Sequence, residues 1–258
     1  MASEVKTNKI SPATGTDVTL GDASDTFTIP ASSTLDVNGI IDLTGATKTG
    51  FPTAGFIGYT VYTGNATWLK SANSPTKVVV EVVGGGGSSG SGTASYINGG
   101  SGGSAGYARK YIDVSSVTSS AIVVGAGGVK NAGTSAGASS WTDTGGGGSS
   151  TVVGGAGGNG VNATGAHGAG GAGGAASGGD LNMPGGNGVV GDADPVGKIT
   201  MSSALSSMGG GHLISHVSYG AATVGPAYGG GAGAGRTAGV AIDGADGGVG
   251  VVIVWEYA

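Results

Sequence analysis

The 258 residues include 61 glycines, over three times the usual share of about 7%, whereas charged residues supply 10% and aromatics 5%. A hydrophobic content of 38%, a mean hydropathy of +0.17 and a net charge of −5 set the chain apart from disordered sequences, which combine low hydrophobicity with high charge. Ten basic residues against fifteen acidic ones, and no cysteine, argue against a nucleic-acid binder, a disulfide scaffold or a thiolate metal cage. So few ionisable groups point to a structural or adhesive protein rather than an enzyme.

The opening stretch, Met1 to Ile10, lacks the apolar segment of an export signal. The longest apolar run, Val249 to Trp255, is far shorter than the ~20 residues of a spanning helix. The expectation is a protein that does not insert in membranes and leaves its cell by host lysis. From residue 16 to 55 apolar residues recur in pairs: Val18 and Leu20, Phe27 and Ile29, Leu35 and Val37, Ile41 and Leu43. Gly-Asp, Ser-Asp and Asn-Gly turn formers separate them, which predicts very short strands, each with one apolar face. Some forty residues cannot bury such faces alone. The segment therefore reads either as an intertwined three-chain β-stem or as the edge of the following domain.

Phe56, Tyr59, Val61 and Tyr62 are expected in one strand, Gly64-Asn65 in a turn, and Trp68 in the core. With Val78 to Val83 they predict a β-hairpin leading into the glycine block. Residues 84 to 250 hold 53 of the glycines, between two β-prone runs, Lys77 to Val83 and Val249 to Tyr257. Glycine here has no fixed three-residue period, which excludes collagen. Strand-like runs inside the block, Tyr107 to Val114, Ser120 to Val124 and Ser150 to Val153, argue against a flexible linker. The remaining arrangement is a packed array of extended, polyglycine-II-like runs, in which main chains approach closely and their amides pair with neighbours on several sides. The expected fold is all-β with almost no helix, and a valine within Gly170 to Gly174 should wreck it.

The ordered succession of these motifs resembles tail-fibre proteins of tailed phages. KTNKISPATGTDVTLGDASDTFTIP (Lys6 to Pro30), LDVNG (Leu35 to Gly39) and IDLTGAT resemble the fibre stem. YTGNATWLK, VVVEVVGGGGSSG, SAGYARKYIDV, IVVGAGG and GGVGVVIVWEY are similar to the glycine-rich domain at the ends of such fibres. The resemblance implies an N-terminal attachment segment (1–15) that docks on other virion tail or fibre proteins, a trimeric stem (16–55) and a glycine-rich tip domain (56–258). It also implies a homotrimer in the virion that binds a bacterial surface polysaccharide or outer-membrane protein. The stem is short for a main fibre, which leaves a tip, an accessory fibre or a decoration open.

Catalytic motifs are weak. Gly197-Lys198-Ile199-Thr200 has Ile where a phosphate loop needs Ser or Thr, and Gly185 to Gly188 starts a calcium-roll repeat that Val190 breaks. His212 and His216 are four apart but lack the glutamate of a zinc-protease helix. No cofactor, metal or catalytic residue is expected. The least repetitive stretch, Asp180 to Tyr228, is the natural recognition surface, since glycine runs present side chains chiefly where they turn. Tyr219, Tyr228, His212 and His216 are the expected receptor contacts, with Tyr96 and Trp141 in two other loops. The Met and Leu residues between 199 and 208 fit either recognition or packing on the array's edge. Two functions remain open: a non-catalytic attachment protein, or a purely structural fibre or capsid-decoration element.

Overall fold

The computed structural model describes residues 55–71, 74–93, 97–130, 133–191, 201–202, 213–214, 221–235 and 240–258. The expected attachment segment, and all of the expected stem but residue 55, lie outside these. Twelve strands are described: β1 (Phe56–Tyr62), β2 (Ala66–Leu69), β3 (Lys77–Val83), β4 (Tyr107–Asp113), β5 (Val117–Val123), β6 (Ser139–Gly146), β7 (Thr151–Gly154), β8 (Ala176–Ser177), β9 (Leu181–Met183), β10 (Met201–Ser202), β11 (Leu213–Ile214) and β12 (Val251–Tyr257). They form two five-stranded antiparallel sheets, ordered β1-β12-β3-β4-β9 and β2-β5-β6-β7-β8, and a separate β10-β11 pair.

The two sheets pack face to face because alternation puts one apolar row of each inside. Val78, Val80 and Val82 of β3, Val252 and Val254 of β12, and Ala108 and Ile112 of β4 are buried against Trp68, Ile122, Trp141 and Val152 of the second sheet. Each such aliphatic side chain contributes about 1.5–3 kcal/mol on burial. Trp68 and Trp141 meet with ring centroids 5.2 Å apart, and the Trp68 Nε1 donates to Glu256 Oε1 at 2.7 Å, joining the sheets with a satisfied polar contact. The bracketing runs anticipated from composition, β3 and β12, are direct neighbours paired along all seven residues.

The expected hairpin over residues 56–83 does not form. β1 pairs with β12 in the first sheet, while β2 pairs with β5 in the second. The turn at Gly64-Asn65 therefore carries the chain between sheets, and Asn65 Oδ1 anchors it by accepting from Val124 N at 2.8 Å. The reason lies in the core: Trp68 completes it only from the sheet facing β12.

Most glycine runs extend a strand of this sandwich, whereas 221–235 folds back on itself through the Thr223–Gly233 bridge. Beyond the Val83–Tyr107 pair of β3 and β4, Gly84, Gly87 and Gly90 donate to the carbonyls of Gly106, Gly103 and Gly100. The spacing has changed from two to three. Between them, Gly86, Ser89 and Gly92 donate to Gly248, Ala245 and Ile242 of another run, all within 2.8–2.9 Å. The run 97–106 does the same in three directions: Gly100 and Gly103 donate to Val161 and Gly158, Ser101 and Ser104 to Val189 and Gly186, Gly102 and Ala105 to Ala232 and Gly229. Three donor directions per three residues is the threefold symmetry of a polyglycine-II helix. Close approach demands glycine: a Cβ on Gly103 would fall on the Ala172 carbonyl, and one on Gly171 on that of Gly158.

Side chains fill the gaps in this amide network. Ser104 Oγ accepts from Gly186 N and Ser101 Oγ from Val189 N, each at 2.7 Å. Asn159, Asn162 and Asn187 offer Oδ1 to the amides of Ser88, Ser91 and Gly173 at 2.8–3.0 Å. The Gly-Gly-Asn-Gly stretch that begins like a calcium repeat thus supplies an amide acceptor.

Candidate functional site

The run after β5 turns back early, where Gly128 N donates to Gly86 O and Val129 N to Thr134 O, whereas the longer runs end at a common far end. There Gly92 and Ile242 exchange backbone hydrogen bonds at 2.9 and 3.2 Å, Ala163 N donates to Ser91 O, Gly168 N to Asn98 O, and Gly191 N to Gly168 O. A Cβ on Gly235 would meet the amide of Ala222 and the Ile242 side chain, so the chain on either side of the longest insertion, at 191 and 221, is held at this end. His167 is beside it, its Nδ1 accepting from Asn98 N at 3.4 Å. Tyr96 belongs to the segment between Thr93 and Ile97, where Thr93 N donates to Ile97 O at 2.8 Å, and His212, His216 and Tyr219 to the segment between 191 and 221. These four expected contacts themselves lie outside the described residues. Only the attachment points of their segments are given by the fold.

The other two expected contacts are elsewhere. Tyr228 sits in the turn Pro226–Gly229 at the sandwich end, where Ala105 N donates to Gly229 O and Gly229 N to Val249 O. At ~3.1 Å per residue, seven residues of the run 97–106 separate that turn from Asn98 by roughly 20 Å. Tyr228 is 41% exposed and has φ of 65°, followed by Gly229 at 86°. A left-handed conformation costs a non-glycine residue about 1–2 kcal/mol, which the closing bond from Gly230 N to Pro226 O (3.1 Å) helps offset. Trp141 corrects the sequence reading. It belongs to β6 rather than a loop and is fully buried, with its Nε1 donating to Asp143 Oδ1 at 2.8 Å. Asp143 also accepts from Ser120 Oγ and Ser150 N. A ring so enclosed presents no face to a receptor.

A surface not anticipated from sequence lies on the outer side of the first sheet. Register places Tyr59, Trp255, Val79 and Tyr111 in one row across β1, β12, β3 and β4. Phe56, Tyr257, Lys77 and Asp113 make the next row. Phe56, Tyr59 and Tyr111 are 57%, 60% and 52% exposed. Tyr59 and Trp255 have centroids 5.0 Å apart, and Phe56 packs on both Trp255 and Tyr257 at about 6 Å. A cleft of ≈ 540 Å³ lined by Gly55, Phe56, Lys77, Val79, Tyr111, Tyr257 and Ala258 opens on this face. The signal was present in VVIVWEY, where residues 253, 255 and 257 are as apolar as the buried 252 and 254. A strand apolar on both sides is covered on both sides.

Ionisable groups border the patch in pairs. Lys77 Nζ lies 3.2 Å from Asp113 Oδ2 and 5.5 Å from the Tyr111 ring centre. The Ser115 hydroxyl and amide, and then Lys77, hold the Asp113 carboxyl down at about 2. Arg109 Nε is 3.7 Å from Glu81 Oε1. Glu81 also accepts from the Tyr107 hydroxyl at 3.2 Å, and burial, reinforced by this carboxylate, pushes the Tyr107 phenol up to about 12. Among the described residues no group of three or more His, Asp or Glu side chains converges as metal ligands would.

No curated protein matches the chain. Residues 60–257 match the family described as the glycine-rich domain, a span that opens within β1, closes on the last residue of β12 and takes in both sheets and every glycine run. The chain belongs to the glycine-rich domain family.

Proposed function

We propose that the protein is a non-catalytic attachment component of a tailed-phage virion, a homotrimer joined through its N-terminal region, whose glycine array holds recognition turns out toward a bacterial surface receptor. The observation that carries this reading is the separation of tasks in the array. Its backbone amides are consumed by neighbouring runs, while the segments between 93 and 97 and between 191 and 221 both spring from the end remote from the sandwich. Segments that join the elements of a rigid scaffold are where varied side chains and recognition concentrate. Tyr96, His212, His216 and Tyr219, which lie in these segments, are the residues we assign to contact a surface polysaccharide or outer-membrane protein. Weak contacts from three copies would sum through multivalency. The resemblance of the stem and tip motifs to phage fibres supports the same reading.

The test is adsorption of the fluorescently labelled full chain to a panel of whole bacteria and purified lipopolysaccharides. A variant with residues 204–217 replaced by a glycine-serine turn is run beside it. Saturable binding to some strains, lost in the variant while the array stays folded, is the expected result. Absence of binding throughout the panel would favour a structural fibre or decoration element instead.

A further inference from the structure

We infer that the aromatic outer face of the first sheet is the surface on which a second copy of this chain docks, an inference that rests on the copies being joined through their N-terminal regions. Phe56, Tyr59 and Tyr111 each leave over half of a side chain in water. With roughly 150–250 Å² per aromatic side chain, these three rings alone expose on the order of 300 Å², already as much apolar surface as the largest patch on many monomers. Around them Val61, Val79 and Ile253 continue the surface without interruption. Four seven-residue strands give a platform of about 20 by 23 Å at the usual strand spacings, roughly half of the ~800 Å² that one partner contributes to a specific interface, with the row of Val83 and Val251 already buried.

Two observations choose the occupant. The first is chain direction. Gly55 and Phe56 line the cleft on this face, so the 54 preceding residues enter the sandwich at its margin. Copies tied together upstream of Gly55 bring these margins together, and not the far end of the array some tens of ångströms away. The second is charge. Lys77 with Asp113, and Arg109 with Glu81, are already matched within the face. Three like faces turned toward a common axis can therefore meet without net charge repulsion, and Asp180 at the β4 edge accepts from Tyr111 N at 2.9 Å. An anionic glycan would find no unmatched cation here.

Site-specific photocrosslinking decides it. The full chain is made with Tyr59→p-benzoylphenylalanine, which keeps an aromatic ring in place, and separately with Tyr111→p-benzoylphenylalanine in case the first fails to fold. Val190→p-benzoylphenylalanine, on an exposed residue of the array, is the control. Solution mass is measured by light scattering, and irradiated samples are separated under denaturing conditions. The expected result is an oligomer that yields covalent multiples of the 24.0 kDa chain from positions 59 and 111 and not from 190. An oligomer whose irradiated chains keep single-chain mass overturns the docking surface and leaves the proposed attachment role standing. So does a crosslink within one chain, which would mean that the chain covers its own face. A monomer at every concentration overturns this inference and the trimeric reading together.

Discussion

Replacing Gly171 by alanine adds one methyl group and should cost several kcal/mol. The Cβ would fall on the Gly158 carbonyl and 2.8 Å from the Gly103 amide. Relief requires the runs to separate by about 1 Å, which takes a 2.9 Å hydrogen bond beyond useful range. The bonds in the path are Gly103 N to Gly158 O and Gly171 N to Ser101 O, both 2.9 Å. Each buried amide left without a partner costs about 1–3 kcal/mol, so the substitution should remove roughly 2–6 kcal/mol, a large share of the about 5–15 kcal/mol of an ordinary fold. The same change in a flexible glycine linker would do the reverse, raising stability by ~0.4–1 kcal/mol through a stiffer unfolded chain. The sign alone separates a packed array from a tether. Urea unfolding followed by far-UV dichroism and by fluorescence of the buried Trp68 and Trp141 reads it. With a slope near ~2 kcal/mol per molar, the midpoint should fall by roughly 1–3 M. Gly58→Ala, where a Cβ meets nothing within 4 Å, should leave it unmoved. An unchanged midpoint for Gly171→Ala at unchanged slope would refute the packing argument.

Four further outcomes follow from individual contacts. Ser101→Ala removes the acceptor for Val189 N at 2.7 Å and should cost about 1–3 kcal/mol, measured by the same urea titration. Glu256→Ala should cost a similar amount by stranding the Trp68 indole N–H between the sheets; Glu256→Gln, which keeps an acceptor, should recover most of it in a thermal melt. Tyr107 has a folded pKa of about 12 against an ordinary value of 10. Its contribution is complete below pH 10 and fades as pH rises toward 12, because the unfolded chain ionises first. Tyr107→Phe should flatten that alkaline limb in stability measured between pH 9 and 12. Amide hydrogen exchange should protect Gly103, Ser104 and Gly171 as strongly as β3, since each donates within the array.

The strands and the glycine runs were legible at different levels. Period-two valines in KVVVEVV and VVIVWEY announce β3 and β12, and YARKYID announces β4, because alternation is a local property. β6 escaped notice: Ser, Thr, Asp and Gly surround Trp141, and turn-like composition hides a strand whose inward face is Ser139, Trp141 and Asp143. The Trp-x-Asp spacing was the available clue, since residues two apart share a face and an indole N–H needs an acceptor there. The hairpin failed for the opposite reason. Phe56 to Leu69 looks local, yet which sheet each half joins depends on β12 and β5, far along the chain. Of the expected contacts, the burial of Trp141 and the distance of Tyr228 from the far end depend on the return path of every run, which no window of sequence contains.

Glycine content alone does not explain why such an array forms, since glycine loses more conformational freedom on folding than any other residue and a net hydrogen bond returns only about 0.5–1.5 kcal/mol. An isolated bundle of these runs would have no reason to choose one register among many of similar energy. The sandwich removes that degeneracy. Val83 is fixed opposite Tyr107 by apolar burial on both sides, so Gly84 can only face Gly106, and each later bond is set by its predecessor at a spacing of three. The apolar core therefore acts as the nucleus and the array as its propagation. A cavity in the sandwich, such as Val80→Ala, should loosen the amides of residues 84–92 and 97–106 along with the strands, whereas Ala166→Ser, at an exposed residue of the turn after Ala163, should leave both untouched. Side chains in a turn such as 164–166 can change without passing their cost to the register, which is the physical advantage of building a scaffold from main chain.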